Sequence, residues 1–483
     1  MDSVTGTGAT TGFRVGIFGI GLDVYWPQFE GLHDRLIGYQ NEIADRLRES
    51  GAEVVNVGLV DSPQRAREAA LRLKQEDVSL IFLYVSTYAL SSTVLPVVQK
   101  TSVPVVVLNL QPVAAIDYAK FNAMNDRTRM TGEWLAHCQA CSVPEIANAF
   151  MRAGVKFQQI TGVLRDDPVA WEQIDAWIAA ARVAETLRRT RVGLLGHYYN
   201  GMLDIYSDLT KLAAAFGNHF EIVEMCELKA LVESVTESEI DAKVVEIRDH
   251  FAVQADCAEM ELRRAARTAV ALDRLVAGND LGALAYFYNG TGDAAYVDLI
   301  SSVIVGNSLL TARHVPVAGE YEVKNVLAMK IMDAFDAGGS FTEFYAMDFN
   351  EDVVLLGHDG PGHIRIAEGR TKLRPLDVFH GKVGQGLSVE MSVRHGPVTL
   401  LSVIDAPDGT PKLLIAEGES VPGPILEIGN TNSRYRFSIG ARAFVDAWST
   451  RGPAHHCAIG VGHLAKKLEM LGKLLGIETI RVC

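Results

Sequence analysis

Residues 14–60 read RVGIFGIGLDVYWPQFEGLHDRLIGYQNEIADRLRESGAEVVNVGLV, which is an apolar run, a long amphipathic stretch and a second apolar run. The same alternation continues through SPQRAREAALRLKQ (62–75), VSLIFLYVS (78–86) and VPVVVLNL (103–110). Apolar runs that are rich in β-branched residues and lack polar alternation are typical of strands buried on both faces of a parallel sheet. Ser62 before Pro63 marks a helix start, and Gly51 a helix end. The region is therefore predicted to be a doubly wound α/β domain.

A second block of this kind opens at residue 191 with RVGLLGH, after a helical pattern over residues 168–189. Beyond Gly319 the pattern changes to one more helix and then to β-rich sequence with frequent turn signals, which is typical of an antiparallel or barrel-like domain. We predict three domains: an N-terminal α/β domain (1–188), a central α/β domain (189–318) and a C-terminal β-rich domain (319–483) that carries the candidate metal site.

The composition excludes several function classes. Among 483 residues, 45 are Lys or Arg and 59 are Asp or Glu, which gives a net charge of -14. Such a charge argues against binding to nucleic acid or to an anionic membrane, because both need a dense cationic surface. The N-terminus lacks the pattern of a secretory signal, so a cytoplasmic protein is expected. The six cysteines are too sparse for a disulfide framework and are expected to be free thiols.

Two short motifs give weak signals. The glycines of GIFGIG have the spacing G-x-x-G-x-G, which departs from the dinucleotide-binding form G-x-G-x-x-G, so no nucleotide cofactor is expected. Cys138 and Cys141 have metal or redox spacing, but they lie in a helical stretch without a second Cys/His pair nearby. We interpret them as two small apolar side chains.

The candidate chemistry lies in the last third of the chain. Glu320 stands in AGEYEVKN, Glu343 in SFTEFYAMDF, His358 in VLLGHDGPGH, and His455 with His456 in GPAHHCAIG. Carboxylates and imidazoles together form a mixed oxygen and nitrogen set that suits Mn²⁺, Co²⁺ or Zn²⁺ in an open site. Taken singly, each of these residues is also compatible with an ordinary surface or core position.

At these residues the sequence resembles the L-arabinose isomerase family, within the arabinose/fucose isomerase group of ketose-aldose isomerases. The resemblance is carried by segments at 160–197, 318–332, 341–349, 355–361 and 454–482. It implies two flavodoxin-like α/β domains followed by a C-terminal domain with a β-barrel. It also implies a divalent metal cofactor, Mn²⁺ foremost and Co²⁺ or another divalent ion as alternatives, with Glu320, Glu343, His358 and His456 as ligands. His455 and His463 are left as neighbouring or structural groups.

The resemblance further implies a homo-oligomer, a trimer or hexamer, in which a neighbouring N-terminal domain completes the active site. The departures fall where the family contacts its sugar. Leu22-Asp23-Val24-Tyr25-Trp26-Pro27 replaces a family Gln-His-Leu-Tyr-Gly-Pro run, and Arg129 stands where the family has a substrate-contacting histidine. Leu22, Tyr25, Trp26 and Arg129 are therefore candidate substrate residues, and we expect a sugar other than arabinose to be accepted.

The function implied is a metal-dependent aldose-ketose isomerase of carbohydrate metabolism that acts on a pentose, hexose or related sugar. Its reaction would pass through a cis-enediol, with Glu320 and Glu343 as the acid/base pair. Two alternatives stay open, a non-catalytic sugar-binding protein and a metal-dependent sugar epimerase. Paired α/β domains also build sugar-binding proteins, and an epimerase would need similar acid/base groups.

Overall fold

The computed structural model describes residues 13–289, 293–376 and 385–483. It divides into two compact units, residues 1–185 and 186–483. The first unit holds a parallel sheet of strand order β2-β1-β3-β4-β5, which is the flavodoxin-like order. The strands are β1 (Arg14–Ile20), β2 (Glu53–Val60), β3 (Leu80–Tyr84), β4 (Val105–Gln111) and β5 (Phe157–Val163).

Burial explains why these segments are strands. All five residues of β3 are buried, and so are the last six of β1, as the apolar runs predicted. The helices of this part are α1 (Leu32–Glu49), α2 (Pro63–Gln75), α3 (Ser91–Thr101), α4 (Tyr118–Asn122), α5 (Arg127–Leu135), α6 (Val143–Arg152) and α7 (Pro168–Arg189). The side chain of Ser62 accepts a hydrogen bond from Arg65 N, and Gly51, with a φ of +76°, follows the end of α1. Both helix boundaries are confirmed.

The glycines of GIFGIG pack against the protein itself. A Cβ at Gly16 would lie 2.5 Å from Leu73, and one at Gly19 would lie 2.4 Å from the Gln40 side chain. The small residues therefore let α1 and α2 approach β1 closely. Helix packing accounts for this motif.

The cysteine prediction is wrong for one pair. Cys138 and Cys141 form a disulfide, whereas Cys226, Cys257, Cys457 and Cys483 are free. The chain leaves α5 at Leu135 and makes a short 3₁₀ turn at Gln139–Cys141, which brings the Cα atoms of Cys138 and Cys141 to 5.4 Å. That separation is within the range a disulfide requires.

The second unit begins with a parallel sheet of order β10-β9-β6-β7. As in the first unit, the first strand of the sheet in chain order, β6, lies between the second, β7, and the third, β9. The strands are β6 (Arg191–Gly196), β7 (His219–Val223), β9 (Ala283–Phe287) and β10 (Val317–Ala318), and the short β8 (Ala252–Val253) joins another sheet. The helices are α8 (Leu209–Phe216), α9 (Met225–Glu233), α10 (Glu237–His250), α11 (Glu259–Gly278), α12 (Ala294–Ile300) and α13 (Val303–Ala312).

Helices α12 and α13 form the stretch Ala294–Ala312, which is long and apolar enough to cross a membrane by length and composition alone. Its apolar window is 72% buried inside the protein. That burial is usual for a helix of a protein core, so the stretch is weak evidence for a membrane span.

The rest of the second unit forms a closed six-stranded β-barrel. Strands pair in the order β15-β18-β11-β12-β17-β16, and β15 pairs back with β16. They are β11 (Gly338–Asp348), β12 (Val353–His358), β15 (Gly396–Asp405), β16 (Pro411–Val421), β17 (Thr431–Phe437) and β18 (His456–Val461). Strand β13 (Lys372–Leu376) pairs with β8 on one side and with β14 (Gly386–Glu390) on the other, and β19 (Glu478–Arg481) pairs with β16. The remaining helices are α14 (Val323–Ala334), α15 (Ala441–Ser449) and α16 (Ala465–Leu475).

The predicted fold class is confirmed: parallel-sheet α/β parts precede a C-terminal β-barrel. Helix α14 is buried from Val323 to Asp333 and contacts β11, β15 and β18. Because α14 follows β10 after a few residues, it joins the second parallel sheet to the barrel. The residues between β10 and α14 include Glu320, so this connection positions the first of the candidate site residues.

Candidate metal centre

Glu320 lies in a turn with an unusual backbone. Its φ is +58° and that of Tyr321 is +62°, a left-handed conformation that residues other than glycine rarely adopt. The amide of Tyr321 donates to Tyr286 O at 3.0 Å, and the amide of Glu322 donates to Gly319 O at 3.0 Å. Strained backbone of this kind is concentrated at functional sites. Here it determines the direction in which the Glu320 side chain leaves the chain.

Three adjacent barrel strands carry the other predicted ligands. Strand β11 lies between β18 and β12, and its Glu343 pairs with His456 on one side and with Gly357 on the other. His358 is the last residue of β12. The pairing of these strands therefore places Glu343, His358 and His456 at neighbouring positions of the barrel, although the three residues are far apart in the sequence.

Hydrogen bonds orient the His358 ring. Its Nδ1 lies 2.7 Å from Asp359 O, and its backbone amide donates to Thr431 Oγ1 at 2.9 Å. The hydroxyl of Thr431 donates back to His358 O at 2.9 Å. Nδ1 is therefore engaged, which leaves Nε2 as the nitrogen that can act as a ligand.

Gly357 permits the close approach of β12 to β17 that this arrangement needs. A Cβ at Gly357 would lie 1.9 Å from Thr431 O, a backbone atom. We therefore expect Gly357→Ala to destabilise the barrel by about 1–3 kcal/mol or more, as overpacking does. Thermal unfolding of the purified variant measures this change.

Gly278→Ala is the matched control, because Gly278 ends α11 and a Cβ there meets nothing within 4 Å. Alanine is favoured over glycine in helices by about 0.5–1 kcal/mol, so this variant should be as stable as the wild type or slightly more stable. Equal melting temperatures for the two variants would contradict the close approach at Gly357.

His456 is buried, with 1% of its surface exposed. Its Nδ1 lies 3.2 Å from Glu322 Oε2, and its ring centroid lies 4.3 Å from that of Phe341. A histidine that ligates a metal usually donates its other ring N–H to a carboxylate or carbonyl. The contact with Glu322 leaves Nε2 of His456 for a ligand.

The structure brings the predicted residues into two overlapping groups. Ligand atoms of Glu320, His358 and His456 all lie within 4.8 Å of one another, and so do those of Glu343, His455 and His456. His456 belongs to both. Three of the four residues predicted as ligands, Glu320, His358 and His456, are therefore brought together, whereas the fourth, Glu343, is grouped with His455 and His456.

Two polar atoms at the centre of this cluster lack partners. Within the described residues, neither Oε2 of Glu320 nor Nε2 of His456 has a hydrogen-bond partner. The two atoms lie 3.4 Å apart. Buried polar atoms are nearly always satisfied, and a divalent cation held by both atoms would satisfy them. The donor set therefore fits a metal.

The two central imidazoles are uncharged. Burial, together with neighbouring His456, lowers the pKa of His358 to about 4. Burial, together with neighbouring His455, lowers the pKa of His456 to about 3. Both rings are therefore neutral near pH 7, which is the form in which imidazole binds a metal.

The surrounding groups are charged in a complementary way. Burial opposes ionisation of Glu320, but the interactions with neighbouring histidines, above all the hydrogen bond with His455, outweigh it and hold the pKa of Glu320 below its usual value. Burial also opposes the charge of His455, yet Glu320 and Asp204 raise its pKa to about 9. Glu322 is the exception, because burial raises its pKa to about 8 and leaves it protonated and uncharged at neutral pH. At neutral pH, Glu320 is an ionised carboxylate beside two neutral imidazoles.

A cavity of about 120 Å³ opens beside the cluster. Glu320, Glu343 and His358 form its polar side. The other lining residues are Tyr199, Tyr286, Ile300, Ile304, Gly319, Phe341, Asp359, Pro361 and Leu376. Convergent polar groups on one side and apolar groups on the other are typical of small-molecule sites.

Sequence reasoning missed two residues of this site, Asp204 and Glu322. Oδ2 of Asp204 lies 2.6 Å from His455 Nδ1, and Glu322 contacts His456. Glu322 had a detectable signal, since it stands two residues after Glu320 in the segment AGEYEVKN. Asp204 gave none, because only the fold places the segment after β6 against the start of β18.

The candidate substrate residues lie in the first unit, where Leu22, Tyr25 and Trp26 follow the carboxyl end of β1 and Arg129 lies in α5. Leu22 is half-buried, the Tyr25 ring lies 5.8 Å from that of Phe29, and Trp26 Nε1 donates to Asp61 at 2.8 Å. Arg129 is exposed in the first turn of α5.

A cavity of about 540 Å³ in this unit is lined by Phe29 and Arg129, among others. The carboxyl end of a parallel sheet is where such folds bind ligands. The substrate roles of Leu22, Tyr25, Trp26 and Arg129 stay predictions.

The fold and the cluster define an α/β protein with a C-terminal β-barrel and a carboxylate-imidazole site. Residues 338–478 match the family model of the L-arabinose isomerase C-terminal domain. This segment contains Glu343, His358 and His456, whereas Glu320 precedes it. The match supports the resemblance and indicates, at a coarse level, a sugar isomerase.

Comparison with curated proteins found no match. Among solved structures, the chain is similar to a probable maltose operon transcriptional repressor, malR, from Staphylococcus aureus. The identity is 10%, the alignment covers 64% of this chain and 95% of that one, and the TM-score is 0.17. At this TM-score the similarity has no bearing on fold or function.

Proposed function

We propose that this protein is a divalent-metal-dependent isomerase that interconverts aldoses and ketoses of the pentose, hexose or related classes. The observation that carries the proposal is the convergence of Glu320, His358 and His456, whose ligand atoms lie within 4.8 Å of one another. The match of residues 338–478 to the arabinose isomerase C-terminal domain supports it. Glu320, Glu343, His358 and His456 would hold the cation, with Mn²⁺ or Co²⁺ favoured by the mixed donor set.

The reaction moves one proton between C1 and C2 of the open-chain sugar and another between O1 and O2. A bound divalent cation supplies Lewis-acid stabilisation of charge on the sugar oxygens. Glu320 and Glu343 are the carboxylates that can accept the carbon proton and return it to the neighbouring carbon through a cis-enediol. They approach His456 from different elements, the turn before α14 and strand β11, so each can face a different atom of the substrate.

The apolar residues of the cavity have a different role from the carboxylates. Phe341, Ile300 and Ile304 line the same cavity as the carboxylates. Such a wall keeps bulk water from the reacting carbons and lowers the local dielectric, which strengthens the electrostatic interactions of the carboxylates. We also propose a cytoplasmic homo-oligomer, which size-exclusion chromatography with light scattering would measure.

The deciding experiment combines metal analysis with a sugar panel. Purified protein is assayed for bound metals, stripped with a chelator and given pentoses, hexoses, deoxy sugars and branched sugars, with or without Mn²⁺ or Co²⁺. We expect conversion of an aldose to its ketose, detected by NMR, in the metal-loaded samples alone.

Two results would contradict the proposal. Sugar affinity without turnover would indicate a binding protein. A stereoisomer with an unmoved carbonyl would indicate an epimerase.

A further inference from the structure

Asp204 makes two hydrogen bonds to one histidine of the site. Its Oδ2 accepts from the backbone amide of His455 at 2.9 Å and lies 2.6 Å from Nδ1 of the same residue. Asp204 stands in the segment between β6 and α8, whereas His455 immediately precedes β18. The contact therefore joins the second parallel sheet to the barrel at the site itself.

The backbone of Asp204 is also anchored. Lys324 Nζ donates to Asp204 O at 2.8 Å and to Asp405 Oδ2 at 2.8 Å. The Lys324 side chain is 6% exposed and lies in the first turn of α14, close in sequence to Glu320. A buried, doubly bonded lysine holds a loop more firmly than an exposed ion pair can, because exposed pairs contribute little.

The geometry determines which nitrogen of His455 faces the site. Since Nδ1 is engaged by Asp204, Nε2 is the remaining nitrogen, and it lies 3.5 Å from Glu320 Oε2. The ring of His455 lies 3.8 Å from that of His456. A carboxylate that bonds one imidazole nitrogen fixes the direction in which the other nitrogen points.

We propose that Asp204 is a positioning residue that holds the His455 ring so that Nε2 points to Glu320 and to the oxygens of a bound sugar. Asp204 acts through His455 and does not itself contact the substrate. The kinetic part of this inference rests on the proposed isomerase function, whereas the placement of the ring does not.

The kinetic test uses Asp204→Ala, Asp204→Asn and the control Asp241→Asn. Asp241 is an exposed carboxylate of α10 that pairs with Arg263 at 2.6 Å. We expect Asp204→Ala to lower kcat by about 10- to 100-fold, the usual effect of removing a partner that orients a site histidine. KM for the sugar and the melting temperature should change little. Asp204→Asn keeps an oxygen acceptor and should recover part of kcat, and the control should match the wild type.

A second measurement needs no turnover. The rate at which diethyl pyrocarbonate modifies His455 in the metal-free protein is followed by mass spectrometry of its peptide. With the ring released, modification should be faster in Asp204→Ala than in the wild type. His33, whose side chain is 41% exposed, gives the reference rate in both proteins.

Every result of these two measurements either supports or overturns the role of Asp204. An unchanged His455 rate in a folded Asp204→Ala protein would overturn the inference, and so would a loss of kcat fully matched by a loss of folded protein. If Asp204→Ala does not fold, Asp204→Asn, whose amide oxygen is a weaker acceptor than a carboxylate, should give a smaller rise in the His455 rate and a smaller fall in kcat, and the absence of both would overturn the inference. A wild type without isomerase activity would refute the proposed function, while the modification rates would still test the placement of His455.

Discussion

Glu320→Gln is expected to lower kcat by about 10²- to 10⁴-fold, the usual contribution of a general acid or base. The amide keeps the size of the side chain but cannot take up a proton, and it is a weaker metal ligand than a carboxylate. Glu343→Gln should have an effect of the same order, because both carboxylates line the cavity beside His358. Initial rates at saturating metal and sugar measure both variants.

The control for these variants is Glu233→Gln, an exposed carboxylate at the end of α9 that pairs with Lys229 at 2.6 Å. It should retain wild-type turnover. If Glu320→Gln kept full turnover with its metal bound, Glu320 would have no part in proton transfer. Metal content must be measured on each sample, so that loss of the cation is distinguished from loss of the acid/base group.

A histidine series should separate ligands from neighbours by metal content. We expect His456→Ala to weaken metal binding by more than about 100-fold, since even the outer partners of metal ligands contribute about 10- to 100-fold. His456 is the one residue that belongs to both groups of ligand atoms found among the described residues. His463→Gln should bind metal as the wild type does, because the His463 ring contacts Gly418 O at 3.2 Å. Isothermal titration with Mn²⁺ and Co²⁺ measures the affinities.

His455→Gln is the informative member of the series. If Asp204 holds His455 as a neighbour of the metal, this variant should retain most of its affinity for metal and lose turnover. A loss of affinity equal to that of His456→Ala would instead make His455 a ligand with Glu343. Wild-type affinity in His456→Ala would contradict the metal centre altogether.

The parallel sheets could be predicted from sequence because a strand that is buried on both faces is a continuous run of apolar residues. The apolar run at 78–86 predicts a strand buried on both faces, and β3 has every residue buried. The turn signal at Pro407-Asp408-Gly409 likewise falls between β15 and β16. A β-barrel could be predicted from the turn pattern and the resemblance, but the strands that close it could not be named, because β15 pairs with both β16 and β18 and no local pattern encodes a second, distant partner.

In the candidate site, too, some residues could be predicted from sequence and others could not. Glu320 and His358 could be selected by residue type and by resemblance, since their chemistry is visible in short segments. Asp204 could not be selected, because an aspartate in a loop is ordinary until the fold places it 2.6 Å from an imidazole. The disulfide between Cys138 and Cys141 was missed because the prediction extended the helix past Leu135, whereas the chain turns there.

The pairing of Glu343 with residues on both neighbouring strands limits how this protein can change in length. Inserting a single residue in β11 ahead of Glu343 would turn that carboxylate to the opposite face of the barrel, because side chains alternate along a strand. Deletions there would do the same. Connections such as the turn at 407–409 tolerate insertions more readily than the strands do, so evolution or engineering can remodel the rim of this barrel while leaving its strands at constant length.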